Sequence, residues 1–582
     1  MATDNLLQEF PPVSTQSWED AIAKDLKGAD YARKLIWHTE EGLAVKPYYR
    51  AGDITGLEFL NAAPGHFPYL RSARFTGDWQ IREEIDAADP GQANHAAQRA
   101  VAAGAEEIAF CNTAVQNTSD LGMLLADLQT IPVHFPDASE TLLRLLIEWL
   151  AERQDSAPVS TGWNPLTNLD FAAEVIRTHP PRLLPFTIDG SKFEESGGTA
   201  TEEVGFTLAA GVDILAEMQS RSRDIDRAAT SIEFSFTIGA NYFFQIAKFR
   251  AFRMLWARAV ESFGGTDEGA RARIHARTSR WNKTIYDPHV NVLRATTEAM
   301  SAILGGADSV TVAAFDECYK APDEASQRLA RNTQIILKRE ALLSHVADPG
   351  AGSYYLEFIT DFIAREGWKS MQKIEAEGGY RNAIADGRIS NALERSLAAK
   401  EKAVILRRRI FTGTNQYADH TEKASDRIDP LRLSGERRGA EVYEQLRLRT
   451  ERHAADTGSL PRVLLAEIGD LKMRAARSTF AANFFACAGF DIITQRFQSS
   501  SEIAACDADL IVLCSSDAEY LELVSELALR LKELGRRTPI IVAGNPEFPE
   551  QLQAAGAADF IHIRSNPIEV LTSWQRQLGI KA

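Results

Sequence analysis

From residue 463 to the C-terminus, short apolar runs alternate with stretches of helix length, and no other feature restricts the fold of this chain so tightly. The runs fall at 463–468, 491–495, 510–514, 540–543 and 560–563. Strands that are almost continuously apolar must be covered on both faces, and strands separated by helices pair in parallel. The pattern therefore predicts a flavodoxin-like, doubly wound parallel sheet over residues 461–582. One covering helix is plain: Tyr520, Leu523, Leu527, Leu531 and Leu534 recur at helical spacing, and Gly535 is placed to end it.

Upstream, over residues 56–410, the β-like runs EEIAF, LLPFTID, IEFSFTI and SVTVAAF alternate with longer amphipathic segments. Such alternation over this length predicts a (β/α)8 TIM barrel, giving an α/β chain of two main domains. The segment QIAKFRAFRMLWARAV, with Ile246, Phe249, Phe252, Trp256 and Val260 on one stripe, is expected to be an amphipathic helix. Residues 411–460 are polar and read as a connector draped on the surface, with a short helix around AEVYEQLRLRTERHAA. Residues 1–55 read as one helix and an extended arm suited to contact with a second subunit.

A formal charge of -16 and a pI near 5.3 argue against nucleic acid or an anionic membrane as principal partner. There is no apolar run of the ~18 residues that span a bilayer, and MATDNLLQEF lacks the order of a secretion signal; the expected location is cytoplasmic. Cys111, Cys318, Cys487, Cys506 and Cys514 are scattered, without zinc spacing, and read as reduced core residues. No Walker loop, GxSxG or HExxH occurs, nor a GxGxxG after the first strand of the C-terminal domain.

The strings WHTEEGLAVKPYY, QIAKFRAFRMLWARA, ARTSRWNKTIYDPHVNVLRATTEAM, RLARNTQIILKRE, DPGAGSYYLE and GTNQYAD, in this order before a flavodoxin-like domain, resemble methylmalonyl-CoA mutases. TSRWNKTIYDP, with the losses described below, resembles the small-subunit branch of the bacterial heterodimeric enzymes. The resemblance implies an isomerase complex that interconverts methylmalonyl-CoA and succinyl-CoA. It also implies a catalytic large subunit as partner, with adenosylcobalamin in that partner and none bound by this chain.

Cobalamin-binding members of the family carry Asp-x-His-x-x-Gly after the first strand of the C-terminal domain. The matching positions here are Asp470, Lys472 and Ala475. An amine binds metal only when neutral, which costs a lysine roughly 4 to 5 kcal/mol at pH 7 from its reference pKa. A surface pair between Lys472 and Asp470 is the expected state, and Ala475 is expected to fill space a glycine would leave. The family's Ser-x-Leu becomes Ser515-Ser516-Asp517, setting an acid against an apolar group, and its Gly-Gly becomes Ala543-Gly544. The glycine-rich turn that follows becomes HIRSNP at 562–567, in which His562 reads as a structural residue.

In the barrel, the family's Gly-Tyr-His becomes Gly190-Ser191-Lys192, and its Leu-His-Thr-Asn becomes Val310-Thr311-Val312-Ala313 ahead of Asp316 and Glu317. Trp79, Ile81 and Arg82 remain from a motif whose tyrosine-bearing insertion is missing. The retained segments read as structural: Lys248, Phe249 and Arg250 on a helix, Arg331-Asn332-Thr333 opening another, and the turn at 348–352. The expectation is a non-catalytic subunit with no catalytic, cofactor or metal residues of its own. The alternatives are an active acyl-CoA mutase with atypical cobalamin binding and a CoA-ester-binding regulator.

Overall fold

The computed structural model describes residues 13–153, 157–433 and 437–581. The first twelve residues of the arm lie outside them.

The barrel strands are β1 (Gln80–Asp86), β2 (Glu107–Cys111), β3 (Val133–Phe135), β4 (Val159–Thr161), β5 (Leu183–Leu184 and Phe186–Asp189), β6 (Ile232–Ile238), β7 (Arg273–Thr278) and β8 (Ser309–Thr311). The sheet has nine hydrogen-bonded segments, but the two pieces of β5 are interrupted only by Pro185, which has no N–H to give, so the strands number eight. The first piece pairs with β4 and the second with β6, closing the ring, and every pairing is parallel. The (β/α)8 expectation holds. SVTVAAF gives strand only for its first three residues.

The helix Tyr242–Ser262 departs from its amphipathic reading, because it is buried on nearly every face. It packs between the sheet and the helices Ala200–Ser220 and Tyr354–Ala376. Its cations are buried with partners, as such groups must be: Lys248 lies 2.6 Å from Glu203, Arg250 lies 2.7 Å from Glu357, and Arg253 donates to Gly305 and Gly306 carbonyls. Arg331 sits near the end of the helix Glu324–Ile335, not at its start, which Asp323 caps. There it pairs with Glu83 at 2.6 Å.

The C-terminal strands are β9 (Arg462–Glu467), β10 (Asp491–Arg496), β11 (Leu510–Cys514), β12 (Ile540–Ala543) and β13 (Ala557–Ile561), in the parallel order β10-β9-β11-β12-β13. This is the doubly wound arrangement expected. β13 begins at Ala557, upstream of the run at 560–563, and ends at Ile561, leaving Ile563 87% exposed; its early residues are held by Trp574, whose indole donates to Asp559 at 3.0 Å.

The connector is not merely draped. Thr414, Asn415, Ala424 and Arg438 are buried, and the helix Glu441–Thr457 is long and largely inside. That helix docks on the 278–288 segment: Glu444 accepts from Ile285 N at 2.8 Å, Glu451 accepts from Tyr286 Oη at 2.6 Å, and the Arg447 guanidinium stacks 3.7 Å from the Tyr286 ring. At the other end of the chain, the helix Thr15–Asp25 buries no residue, and Trp18 and Trp37 remain 48% and 49% exposed. The arm then folds onto its own barrel, where Tyr49 packs against Tyr355 and Phe358.

Candidate functional site

In an open α/β sheet, a ligand lies beyond the carboxyl ends of the strands where the strand order reverses. Here that point is between β9 and β11. Gly469, with φ +78°, turns the chain out of β9, and a Cβ there would stand 2.5 Å from both Glu519 Oε2 and Ser515 Oγ. The Glu519 carboxylate gathers this loop cluster, accepting from Ser515 Oγ and Ser516 Oγ at 2.6 Å each, Ser516 N at 3.1 Å and Asp470 N at 3.2 Å. Those hydrogen bonds, the serine hydroxyls foremost, pull its pKa down to about 2.

Asp470 does not pair with Lys472. Its carboxylate accepts from Met473 N at 2.8 Å as N-cap of the helix Leu471–Ala486, a use that satisfies an otherwise orphan donor. Lys472 is exposed and makes no ion pair among the described residues. Ala475 is exposed too. Two residues further on, Arg477, which no motif marks, reaches across to the loop after β11. Its guanidinium pairs with Asp517 at 2.9 Å, and a Cβ on Gly544 would stand 2.9 Å from one and 3.1 Å from the other. Asp517 therefore faces a cation and not an apolar group. Ala543 is fully buried, and its carbonyl accepts from Tyr520 Oη at 2.7 Å, while Ser515 N donates to the same hydroxyl at 3.2 Å. His562 Nδ1 accepts from Arg564 N at 3.1 Å within its own turn.

At the carboxyl end of the barrel, Ser191 and Lys192 begin a short helix after β5. Ser191 donates to Asp189, and Lys192, its side chain 75% exposed, pairs with the same carboxylate at 3.3 Å. Neither points into the barrel axis with an unused group. The axis itself is crossed by charge. Arg82 on β1 donates to Glu107 on β2 at 2.9 Å and to Glu233 on β6 at 3.0 and 3.1 Å, and Arg273 on β7 reaches Glu233 at 3.0 Å. Burial alone would raise the Glu233 carboxyl, but the two guanidiniums outweigh it and hold it below the usual range. His134 and His275 bond to Ser160 and Ser309 at 2.8 Å each; burial and Arg82 push His134 down to about 3 and His275 well below its ordinary value, so both rings are neutral. Nearer the carboxyl end, Arg277 bridges Glu84 at 2.9 Å and Glu317 at 2.8 Å. A ligand threaded along this axis would have to part those pairs, leaving buried charges alone.

The family model for methylmalonyl-CoA mutase matches residues 38–123 and 146–482. The chain belongs to the methylmalonyl-CoA mutase family. Among its relatives, the methylmalonyl-CoA mutase small subunit of Porphyromonas gingivalis is 36% identical, with 99% of each chain covered. The small subunit of Streptomyces virginiae is 31% identical over 99% of this chain and 98% of its own. The methylmalonyl-CoA mutase of Escherichia coli is 27% identical over 94% of this chain and 96% of its own. Within this mutase-family fold, the retained Asp470 and the substituted positions Lys472, Ala475, Asp517 and Ala543 all lie at the carboxyl edge of the C-terminal sheet. Ser191 and Lys192 lie at the corresponding edge of the barrel. Of the side chains gathered there, Arg477, Glu519 and Glu233 were not marked by the sequence, whereas Arg82 was noted only as a retained motif residue. No helix among the described residues is long and apolar enough to cross a membrane.

Proposed function

We propose that this chain is the non-catalytic subunit of a heterodimeric, adenosylcobalamin-dependent methylmalonyl-CoA mutase, and that it stabilises a catalytic large subunit which carries the cofactor. The observation that carries the reading is the Arg477–Asp517 pair standing over Gly544. With the Glu519 cluster beside it, this half-exposed pair stands where a cobalamin tail would need room, which supports the reading. No imidazole stands at position 472 to meet cobalt. The residues do not fit the cofactor, so no catalytic step is assigned to them. The charge-crossed barrel supports the same reading for the CoA ester, and the five free cysteines accord with a reducing cytoplasm.

A subunit without chemistry acts by binding the folded partner and drawing it out of its unfolded ensemble. The helix Thr15–Asp25, in which no residue is fully buried and Trp18 is 48% exposed, is the element available to such a partner. The test is to produce the large subunit with and without this chain, and to measure soluble yield and bound cobalamin. Equal yield and activity in both would end the stabilising role. The isolated chain, equilibrated with adenosylcobalamin, is expected to leave the visible spectrum that of free cofactor; one-to-one uptake would restore the active-mutase alternative. Heat on titration with methylmalonyl-CoA would support the regulator instead.

A further inference from the structure

Where the start of the connector meets the C-terminal domain lies a cavity of about 390 Å3, a size that suits a small organic ligand. One wall is the helix Leu471–Ala486, the second is the turn at 562–567 after β13, and the third is the segment at 406–416 that follows the helix Arg388–Ile405. None of Arg477, Asp517, Glu519 or Gly544 lines it, so it is separate from the loop cluster described above. Leu406, Phe480, Phe484, Ile563 and Pro567 supply its apolar surface, with the two phenylalanine rings 5.9 Å apart and Ile563 87% exposed.

The charge that faces this cavity is of one sign. No Asp or Glu among the described residues lines it, although the chain carries a net charge of -16. Arg407 does line it, and its guanidinium makes no ion pair among the described residues. Its one side-chain hydrogen bond there goes to the Gln416 amide oxygen, and its buried Nε has no partner. Arg407 also holds φ +54°, a left-handed conformation that costs a non-glycine residue energy, so the cation is kept in place against a backbone preference. A second donor stands on the facing wall. His562 Nδ1 accepts from Arg564 N, so the neutral ring, which burial favours, carries its proton on Nε2, where it has no partner among the described residues. Other polar side chains of the lining are spent: Asn483 accepts from Tyr417 N and donates to Thr479 O at 3.0 Å each, and Thr479 Oγ1 donates to Ala475 O at 2.9 Å.

We infer that this cavity binds a small organic oxyanion, a carboxylate or a phosphate monoester on an apolar body. The Arg407 fork takes the oxyanion, since planar guanidinium matches either group, and His562 Nε2 adds a donor. Phe480, Phe484 and Ile563 cover the apolar body. The bound molecule bridges the connector and the C-terminal domain, because its cation comes from one and its apolar contacts from the other. The site depends neither on a partner subunit nor on cobalamin.

The test is saturation-transfer NMR on the full chain at constant ionic strength, with phenylacetate, phenyl phosphate and the neutral phenylacetamide titrated separately. Saturable binding is expected for at least one of the two anions and not for phenylacetamide, and the anion held more tightly identifies the oxyanion. Arg407→Met is expected to weaken that binding about tenfold or more, as the loss of a charge-assisted hydrogen bond does. Ala476→Phe keeps the test independent of any folding defect in Arg407→Met: position 476 is exposed on its helix and lines the cavity, so the ring fills the space without entering the core. That variant is expected to keep the native Tm and to lose the anion. The inference is overturned by the absence of saturable binding of both anions, by equal binding of phenylacetamide, or by undiminished binding in Ala476→Phe or in folded Arg407→Met.

Discussion

Replacing Arg82 with methionine removes the centre of the charge layer that crosses the barrel. The guanidinium serves Glu107 at 2.9 Å and Glu233 at 3.0 Å, with all three side chains about 1% exposed. Arg273 stays in place after the substitution, 3.0 Å from Glu233 but 3.8 Å from Glu107. The damage therefore falls on Glu107, whose Oε2 already has no hydrogen-bond partner. Deleting one partner of a buried pair costs about 3–5 kcal/mol, and with Glu233 still served the expected loss is the lower figure, about 3 kcal/mol. Urea unfolding at pH 7, followed by near-ultraviolet circular dichroism, reads it as a lowered midpoint. The double variant Arg82→Met/Glu107→Gln should recover most of the loss, because no uncompensated charge remains. A single-variant loss below about 1 kcal/mol, or a double variant no better than the single, refutes the claim that paired charge holds the axis closed.

The neutral histidines set a pH dependence. His134 titrates at about 3 when folded against an ordinary 6.5, and His275 is shifted the same way, so the unfolded chain binds more protons below pH 6.5. The stability present above that pH is then lost as pH falls, by up to about 1.4 kcal/mol per unit for each ring; urea midpoints between pH 7 and 5 should show this, and a slope unchanged in His134→Gln would count against it. Glu451→Gln weakens the acceptor that holds Tyr286 Oη at 2.6 Å, Ala424 N at 3.0 Å and Ser425 N at 2.9 Å, for an expected loss of about 2 kcal/mol. Trypsin should cut its connector faster, and an unchanged digestion rate would show that the helix docks by other means. Arg477→Ala breaks a half-exposed pair and should cost under about 1 kcal/mol. It should still take up no adenosylcobalamin by visible titration, since the Glu519 cluster remains, and uptake would show that Arg477 alone excluded it.

The strands that declared themselves in the sequence are those whose burial is apolar. IEFSFTI coincides residue for residue with β6, and LLPFTID becomes the two pieces of β5, broken where its proline stands. AADFI shares only Phe560 and Ile561 with the apolar run at 560–563, because Trp574 from a later helix covers its earlier residues. The helix Glu441–Thr457 was underestimated for a related reason: it buries Glu444, Arg447 and Glu451, and a core face made of paired charges reads as surface. At the candidate site, positions were legible and partners were not. Asp517 and Arg477 are 40 residues apart and Arg82 and Glu233 are 151 apart, and periodicity says nothing about which charges meet at such distances.

Those distant pairings also bear on how readily substitution could alter the barrel axis. Buried ion pairs add little net stability, yet breaking one costs several kcal/mol, so a layer such as Arg82, Glu107, Glu233 and Arg273 resists change one residue at a time. An imidazole set at position 472 would begin an exposed helical turn, with Glu519 still holding Ser515, Ser516 and the Asp470 amide, and Arg477 still over Gly544. Histidine at position 192 would face solvent beside Asp189 while the barrel axis beneath stayed crossed. In the barrel, clearing the axis requires removing charges in matched sets, because each intermediate carries an unpaired buried charge, whereas Arg477 and Asp517 at the sheet edge are partly exposed and are parted at little cost. Along the barrel axis the charges are coupled, so the family fold and a charge-crossed axis can persist together.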